Sequence, residues 1–542
     1  MTSNKPLLPL SALAAVLTDA DLLVSIEGEE TQVAGMNVDS REITAANLFV
    51  CKGVSFKPCF LTTAKAAGAS AYLCDKAHAD ELAATEPGMP RLVVHDVRRA
   101  MALVAPVIYN HANEQLFIAG ITGTKGKSTT AYMLRSIMDA AQTPSGIMGS
   151  IVTDDGIECF ESHNTTPEAP ELWRHLANTV DAGRKDMIME VSSQALKYDR
   201  VLGLPIDIAC FLNIDRDHIS ANEHPDFDDY FESKLRIFAQ SKMALINLNA
   251  AHTDRILEAA QDAPAILCYC IKEGCQPCGT NPTGSFHPKA DLWAVNVRSN
   301  QGRITFDARW DAAAFNPNTT PEERVKIQDP GYRTPLDKIQ KHTFELGIPG
   351  LFNVENALAA IGMALLMGAP LEAIHEGLAH LRVPGRMEIV RSADNHVTAI
   401  IDYAHNKLSF ETLFTSVKKE YPEHRIIALF GAPGDKAIER REQLPQVAGK
   451  YADLLIFTEE DPAHERVEDI CQALASNTPA GCEYRIITDR EEAVIAALKD
   501  AADQEQPSVV LLLAKGDETR QHRGDEYPLV KSDLELARTF LA

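Results

Sequence analysis

The run Gly-Ile-Thr-Gly-Thr-Lys-Gly-Lys-Ser-Thr-Thr, residues 120–130, crowds glycines, lysines and hydroxyl side chains into eleven positions. It follows the apolar stretch "FIAGIT" and opens the amphipathic stretch "STTAYMLRSIMDAA". A glycine loop between a strand and a helix turns backbone N–H groups and the positive helix end toward an anion. Lys127 can neutralise the β- and γ-phosphates of a nucleotide, and the Ser128 hydroxyl can ligate Mg²⁺. Gly123, Thr124, Lys125, Gly126 and Thr129 complete the candidate loop. Its spacing is unusual: in G-x-x-x-x-G-K-[ST] the first glycine would stand at Ile121, whereas the glycines stand at Gly120 and Gly123.

Two further strand-like runs end in groups suited to the same chemistry. "DMIMEVS" places Glu190 at a strand end, where a metal-holding acid would stand, since ligands gather at the carboxyl ends of parallel strands. "FLNIDRDHIS" ends with Asn213, Asp217 and His218. A single histidine there is either structural or a ligand, and Asp217 could orient its ring. Ser128, Glu190 and His218 on three strand ends favour the ligand reading. Lys234, in "FESKLRIF", lies on a helix whose Phe231, Leu235 and Phe238 form an apolar face. Asn353 and Asn356 open the helix "NVENALAAIGMALL", where their amides could cap it or meet an adenine edge.

The elements that must position these groups read as α/β throughout. Short apolar runs ("QLFIAGIT", "DMIMEVS", "IDIACFLNI", "MALINL") alternate with amphipathic stretches, which implies βαβ units and a parallel sheet. A second series ("VTAIIDYA", "HRIIALFG", "DLLIFTEE", "SVVLLLAKG") follows "RVPGRMEIV". The N-terminal part has its own mixed pattern, with "NLFVCKG" and "AYLCD" as strands. The expected organisation is three α/β domains: 1–113; a parallel-sheet nucleotide domain at 114–383 with an insertion around 270–335; and a Rossmann-like domain at 384–542. "DLWAVNV" and "GRITFDARW" read as a hairpin within the insertion.

These motifs occur in an order that resembles the Mur ligase family, and within it the members that add the third residue of the peptidoglycan stem peptide. The carriers are G-T-x-G-K-[ST]-T, "MEVSSQAL…R", "NI..DH", "GLFNVENALAA", "VPGRME", "IDYAHN" and "AKGDE". The shortened phosphate loop is the family's form. The resemblance implies ATP-dependent amide formation: the γ-phosphate passes to a substrate carboxylate, and an amine then displaces phosphate from the acyl phosphate. It implies Mg²⁺ held through Ser128, Glu190, His218 and Lys234, the last carbamylated. Lys127, His218, Lys234, Asp402 and His405 are the implied catalytic group, with Asp402 and His405 near the ribose or the reacting atoms. Asn353, Asn356 and Arg386 would contact ATP. Ser40 and Arg41, in "DSRE", would contact a uridine diphosphate, and Ala46 stands nearby where a glycine is usual. Asn164, Thr165, Thr166, Ser192 and Arg200 would contact the muramyl peptide, with Tyr198 in place of a polar residue. On the residues alone, "NTTPEAPELW" also reads as a Thr-capped helix start with proline in its first turn.

The resemblance also bears on the incoming amine. Members that add meso-diaminopimelate carry D-N-P-R, whose arginine matches the distant carboxylate. Here the stretch is Glu460-Asp461-Pro462-Ala463, without arginine and with two acids. With Glu518, these acids favour a side chain ending in a cation, as in lysine-adding members. Glu460 in place of Asp leaves L-ornithine open. An acidic helix start complementing the dipole is the alternative.

Bulk properties narrow the rest. At 542 residues the chain needs two to four cores. A net charge of −24 disfavours nucleic acid and anionic membranes as partners. No apolar run of about 18 residues is present, and the N-terminus reads as a helix rather than a signal peptide. Eleven scattered cysteines suit a reducing cytoplasm. Cys268, Cys270, Cys275 and Cys278 lie close together, as free thiols or a zinc site. The expected partners are small molecules (UDP-muramyl dipeptide, ATP, and L-lysine or a similar diamine), bound by a monomer.

Overall fold

The computed structural model describes residues 7–53, 56–217, 219, 223–271, 290–300, 303–320, 323–324 and 336–542. His218, Cys275 and Cys278 lie outside them, as does much of the expected insertion. The chain divides into two compact units. One comprises Met1–Trp293, Trp310–Gln340 and Leu358–Ile374; the other comprises Ala294–Arg309, Lys341–Ala357 and His375–Ala542.

The first unit holds two larger sheets. A five-stranded sheet runs in the order Leu23–Glu27, Arg91–Val94, Ala69–Asp75, Asn47–Cys51, Gly35–Asn37. Its first pair is antiparallel and the rest are parallel. The central sheet runs Cys159–Glu161, Val152–Asp154, Gly146–Met148, Asp186–Glu190, Phe117–Thr122, Ile206–Phe211, Ser241–Asn247, Ala265–Ile271. From Gly146–Met148 onward every pairing is parallel. Parallel strands are covered on both faces, which is why these runs are almost wholly apolar rather than alternating. One core cluster, from Leu10 to Cys268, joins the two sheets through helix Val97–Ile108 and helix Ala169–Asp181. The expected N-terminal helix is Leu10–Asp19.

The second unit carries a six-stranded sheet in the order Glu388–Arg391, Val397–Asp402, Ser508–Leu513, Arg425–Phe430, Leu454–Phe457, Glu483–Ile486. Only the first pair is antiparallel. Separate apolar clusters cover its two faces, one around Phe410, Phe430 and Phe457 and one around Ile427, Leu512 and Val494. Strands Leu292–Asn300, Arg303–Asp311 and Ile339–Leu346 are neighbours in that order, so the expected hairpin strands are adjacent. Among the described residues no helix is long and apolar enough to cross a membrane.

Candidate active site

The nucleotide-loop strand Phe117–Thr122 lies between Asp186–Glu190 and Ile206–Phe211, with Ile121 opposite Glu190 and Thr122 opposite Phe211. Three consecutive strand ends therefore deliver Gly123–Ser128, Glu190 and Asn213–Asp217 to one edge, as expected for a parallel-sheet site. The loop glycines are required by geometry. Gly126 has φ +87° and is the N-cap of helix Lys127–Ala140. Gly123 has φ +150°, and a Cβ there would meet Leu212 Cβ at 3.0 Å.

Side chains from the neighbouring strand fix the loop. Asn213 Oδ1 accepts from the Lys125 N–H at 2.9 Å, and its amide donates to the Lys125 carbonyl at 3.0 Å. Thr124 Oγ1 accepts from the Asp215 N–H at 2.9 Å and lies 3.1 Å from the Tyr230 hydroxyl. Lys125 Nζ pairs with Asp217 at 3.0 Å. Asp217 is therefore engaged by a loop lysine, beyond the partner expected for it at His218.

Lys127 and Lys234 meet on one atom. Lys127 Nζ donates to the Gly123 carbonyl at 2.9 Å and to the Thr124 carbonyl at 3.3 Å. Lys234 Nζ donates to the same Gly123 carbonyl at 3.0 Å and lies 4.9 Å from the Tyr230 ring centroid. Lys234 is 2 % exposed. Burial, reinforced by Lys127, holds its ammonium well below the usual lysine range. The helix thus turns this lysine into the site rather than into solvent. Tyr230, four residues earlier on the same face, was signalled by the i, i+4 spacing in "YFESK".

Glu190 is buried at its strand end, and its Oε1 and Oε2 accept from the Ser150 N–H (2.9 Å) and Oγ (3.3 Å). Gly149 is pressed against it: a Cβ there would stand 2.3 Å from Oε1. A buried carboxylate whose hydrogen bonds come from one serine suits a divalent cation, as do the buried hydroxyls of Ser128 and Thr129 on the adjacent helix start. Neither Ser150 nor Gly149 was picked out from the sequence, because they reach Glu190 only through tertiary packing.

Thr166 Oγ1 donates to the Glu190 carbonyl (2.8 Å) and accepts from the Ser192 N–H (3.0 Å). Thr165 Oγ1 lies 2.9 Å from Ser150 Oγ, and Asn164 is exposed beside it. Arg200 donates to the Thr166 carbonyl at 3.0 Å. These residues form one strip next to Glu190. Neither threonine caps the following helix: it starts at Ala169 with Glu168 at the N-cap and proline in its first turn. Ser192 caps Ser193–Lys197 instead. In the N-terminal sheet Ser40 is buried, while Arg41 is exposed and pairs with Asp39 at 2.6 Å. Ala46 has φ +62°, which explains why glycine suits that position.

In the second unit, Arg386 lies 4.4 Å from the Tyr403 ring centroid. The Asp402 carboxylate accepts from the N–H groups of Met387 (2.9 Å) and Ala404 (2.8 Å), and so ties the Pro-Gly-Arg turn to its strand. His405 Nδ1 donates to the Tyr403 carbonyl at 2.7 Å. Asn353 donates to the Pro349 carbonyl and accepts from the Asn356 amide, at 2.6 and 2.9 Å.

The Glu460–Ala463 stretch divides its acids. Asp461 accepts from Lys515 Nζ (2.9 Å) and the His522 N–H (3.0 Å), and Lys515 also pairs with Glu518 at 2.6 Å. Glu460 is buried, and its Oε2 has no hydrogen-bond partner among the described residues. Burial pushes its carboxyl up to about 7, with Asp461 adding and Arg440, Arg490 and Lys515 opposing. Burial, and then the nearby charge of Glu518, push the ionisation of the Tyr403 hydroxyl well up. Pro462 passes its carbonyl against Gly434, where no Cβ would fit, and Ala463 is left-handed at φ +48°. Lys515 and Tyr403 join this cluster unforeseen.

Elsewhere, Asp155, Glu158 and His175 are the one group of three metal-capable side chains among the described residues. Asp155 already accepts from His175, Asn178 and the N–H groups of Ile157 and Glu158, which makes it a clasp between a hairpin and a helix. Cys268 and Cys270 are buried on strand Ala265–Ile271.

Fold and site together define a nucleotide-handling α/β enzyme built on a shortened phosphate loop. The Mur ligase middle domain matches residues 121–364, and the Mur ligase glutamate ligase domain matches residues 385–516. The chain belongs to the Mur ligase family. It is 34% identical over 541 residues to the UDP-N-acetylmuramyl-tripeptide synthetase of Lactobacillus delbrueckii subsp. bulgaricus, covering 98% of each chain. It is 34% identical over 517 residues to the UDP-N-acetylmuramoyl-L-alanyl-D-glutamate–L-lysine ligase of Enterococcus faecalis, covering 94% of this chain and 92% of that one. Among solved structures, a UDP-N-acetylmuramoyl-L-alanyl-D-glutamate–2,6-diaminopimelate ligase shares the fold at TM-score 0.62, with 24% identity and 99% of each chain covered.

Proposed function

We propose that this chain is a cytoplasmic, monomeric, ATP- and Mg²⁺-dependent ligase that joins L-lysine to the D-glutamate γ-carboxylate of UDP-N-acetylmuramoyl-L-alanyl-D-glutamate. Residues 1–113 would bind the UDP-muramyl part, 114–383 the ATP, and 384–542 the incoming amino acid. The observation that carries the choice of amine is Glu460. A buried carboxylate with an oxygen lacking a partner among the described residues, at the position that precedes Asp-Pro-Ala, suits a terminal ammonium and not a carboxylate. Asp461 and Glu518 are both engaged by Lys515, so Glu460 is the acid that would read the side chain. The relatives named as tripeptide synthetases and L-lysine ligases agree with this reading.

A carboxylate resists attack by an amine because its oxyanion is a poor leaving group. In the proposed reaction, a γ-carboxylate oxygen attacks the γ-phosphorus, the bond to ADP breaks, and the acyl phosphate forms. The amine lone pair then attacks the acyl carbon, phosphate leaves, and the amine proton passes to solvent. Lys127 would leave the Gly123 and Thr124 carbonyls to shield the β- and γ-phosphates. Arg386 would contact ATP phosphate, with Tyr403 orienting it. Mg²⁺, held through Ser128, Glu190, His218 and Lys234, would neutralise charge between the two anions. Burial favours the neutral amine of Lys234, which is the form that adds to CO₂ to give a carbamate and a proton. Thr165, Thr166, Ser192 and Arg200 would hold the muramyl peptide beside Glu190.

The test is phosphate release from ATP with UDP-N-acetylmuramoyl-L-alanyl-D-glutamate and, separately, L-lysine, L-ornithine or meso-diaminopimelate. The expected result is release with L-lysine. Release with diaminopimelate alone would overturn the amine assignment, and no release with any of the three would overturn the ligase reading. Lys127→Ala is expected to abolish turnover.

A further inference from the structure

A carboxylate, a lysine and an arginine from three separate elements converge next to the substrate strip. Lys52 follows strand Asn47–Cys51 of the N-terminal sheet. Its Nζ lies 2.5 Å from Glu168 Oε2, although the two residues are 116 positions apart. Arg200 Nε lies 3.0 Å from Glu168 Oε1 on the other side. Both cations are largely covered, with side-chain exposures of 9% for Lys52 and 15% for Arg200. Arg98 lies 4.5 Å from the Tyr198 ring centroid and near enough to Lys52 to repel its charge.

Two details set Glu168 apart from an ordinary structural partner. It occupies the N-cap of helix Ala169–Asp181 in extended geometry, yet its side chain makes no capping bond. A carboxylate near a helix N-terminus gains from the dipole; this one is directed instead toward the two cations. Moreover, the buried Arg200 Nε–H makes no well-directed hydrogen bond even with Glu168 Oε1 at 3.0 Å. Charge is matched across the pair, but the arginine's planar donor set is not used as a fork.

Resting on the function proposed above, we propose that Lys52 and Arg200 form a two-cation clasp for an oxyanion of the UDP-muramyl peptide, and that Glu168 occupies this clasp when substrate is absent. Lys52 is then a further substrate-positioning residue and Glu168 a built-in competitor. Two cations within reach of one carboxylate fit a diphosphate better than a single charge, and a peptide carboxylate would engage them in the same way. Displaced from the clasp, Glu168 has its own helix N-terminus to return to, so release of the cations leaves no carboxylate stranded.

The experiment measures binding of UDP and of UDP-N-acetylmuramoyl-L-alanyl-D-glutamate by titration calorimetry, with steady-state kinetics, for the full chain and for Lys52→Met, Lys52→Arg, Glu168→Gln and the Lys52→Met/Glu168→Gln pair. Lys52→Met is expected to weaken substrate binding about tenfold, the loss of one charged hydrogen bond. It raises KM for the UDP substrate while kcat and the KM for ATP hold, and Lys52→Arg restores most of the loss. If UDP weakens in parallel, the diphosphate is the bound group; if only the full substrate weakens, a peptide carboxylate is. Glu168→Gln is expected to tighten binding several-fold, and this gain disappears in the Lys52→Met background. Unchanged affinity for both probes in Lys52→Met, or a fall in thermal midpoint without a change in KM, overturns the clasp. Weaker binding in Glu168→Gln overturns the competitor role. A wild-type chain that binds UDP through Lys52 but releases no phosphate with any amine would overturn the function reading while leaving the clasp standing.

Discussion

Gly149 shows how a residue with no chemistry of its own governs one that has it. A methyl group at 149 would fall 2.3 Å from Glu190 Oε1. The carboxylate is the mobile end of a side chain and can move aside, but Cδ and Cγ would stand at 3.0 and 3.1 Å in a buried site, so the overpacking should cost about 1–3 kcal/mol. Its position cannot move without cost to the site. Gly149→Ala is therefore expected to lower kcat at least tenfold with only a modest fall in melting temperature, and normal turnover would remove Glu190 from the metal-holding set. Glu460 makes a prediction of a different kind. Its carboxyl is raised from 4.5 to about 7, so the folded chain binds a proton that the unfolded chain has released between those values. Stability from this group is complete below pH 4.5 and is lost as pH rises through 7, by about 3 kcal/mol in all. Glu460→Gln should flatten that part of the stability–pH curve and raise stability at pH 8; denaturant midpoints from pH 4.5 to 8 test it.

At the scale of elements, the turn at Ala46 is a backbone cost carried by a short connection. Left-handed geometry costs an L-residue about 1 kcal/mol or more, and glycine avoids it. Ala46→Gly is expected to stabilise the chain by about 0.5–1 kcal/mol despite the greater freedom glycine gives the unfolded state; urea midpoints check this. The turn was only weakly legible, since the resemblance sets a glycine where Ala46 stands and nothing in the local run replaces that signal. The central strands and the phosphate loop were legible, since buried parallel strands and glycine turns write themselves in runs of a few residues. The Lys52–Glu168–Arg200 contact was not. No local pattern links residues that lie on three elements and meet only after the N-terminal and central sheets pack. The same limit hid Ser150 behind Glu190 and Lys515 behind Asp461. The reading of "NTTPE" as a threonine cap failed for another reason: Thr166 finds a better partner in the Glu190 carbonyl, and the helix begins later.

On the scale of the whole molecule, two compact units with separate apolar cores should not melt as one. Scanning calorimetry is expected to give a calorimetric enthalpy clearly larger than the van't Hoff value, and equality would show a single cooperative unit. With a net charge of −24, the chain as a whole repels the anionic molecules it is proposed to use, so Lys52, Lys125, Lys127, Arg200 and Arg386 must create local fields of the opposite sign. One feature of that field also keeps time. The Gly123 carbonyl receives the amines of both Lys127 and Lys234. While Lys234 is unmodified, its N–H helps hold the loop closed on itself. A carbamate at that nitrogen would set anionic oxygens beside the same carbonyl, and the loop would loosen. On the carbamylation proposed above, a newly made chain would start idle and would ripen as carbon dioxide reaches a buried nitrogen. The age of the protein and the gas dissolved around it would then enter its specific activity.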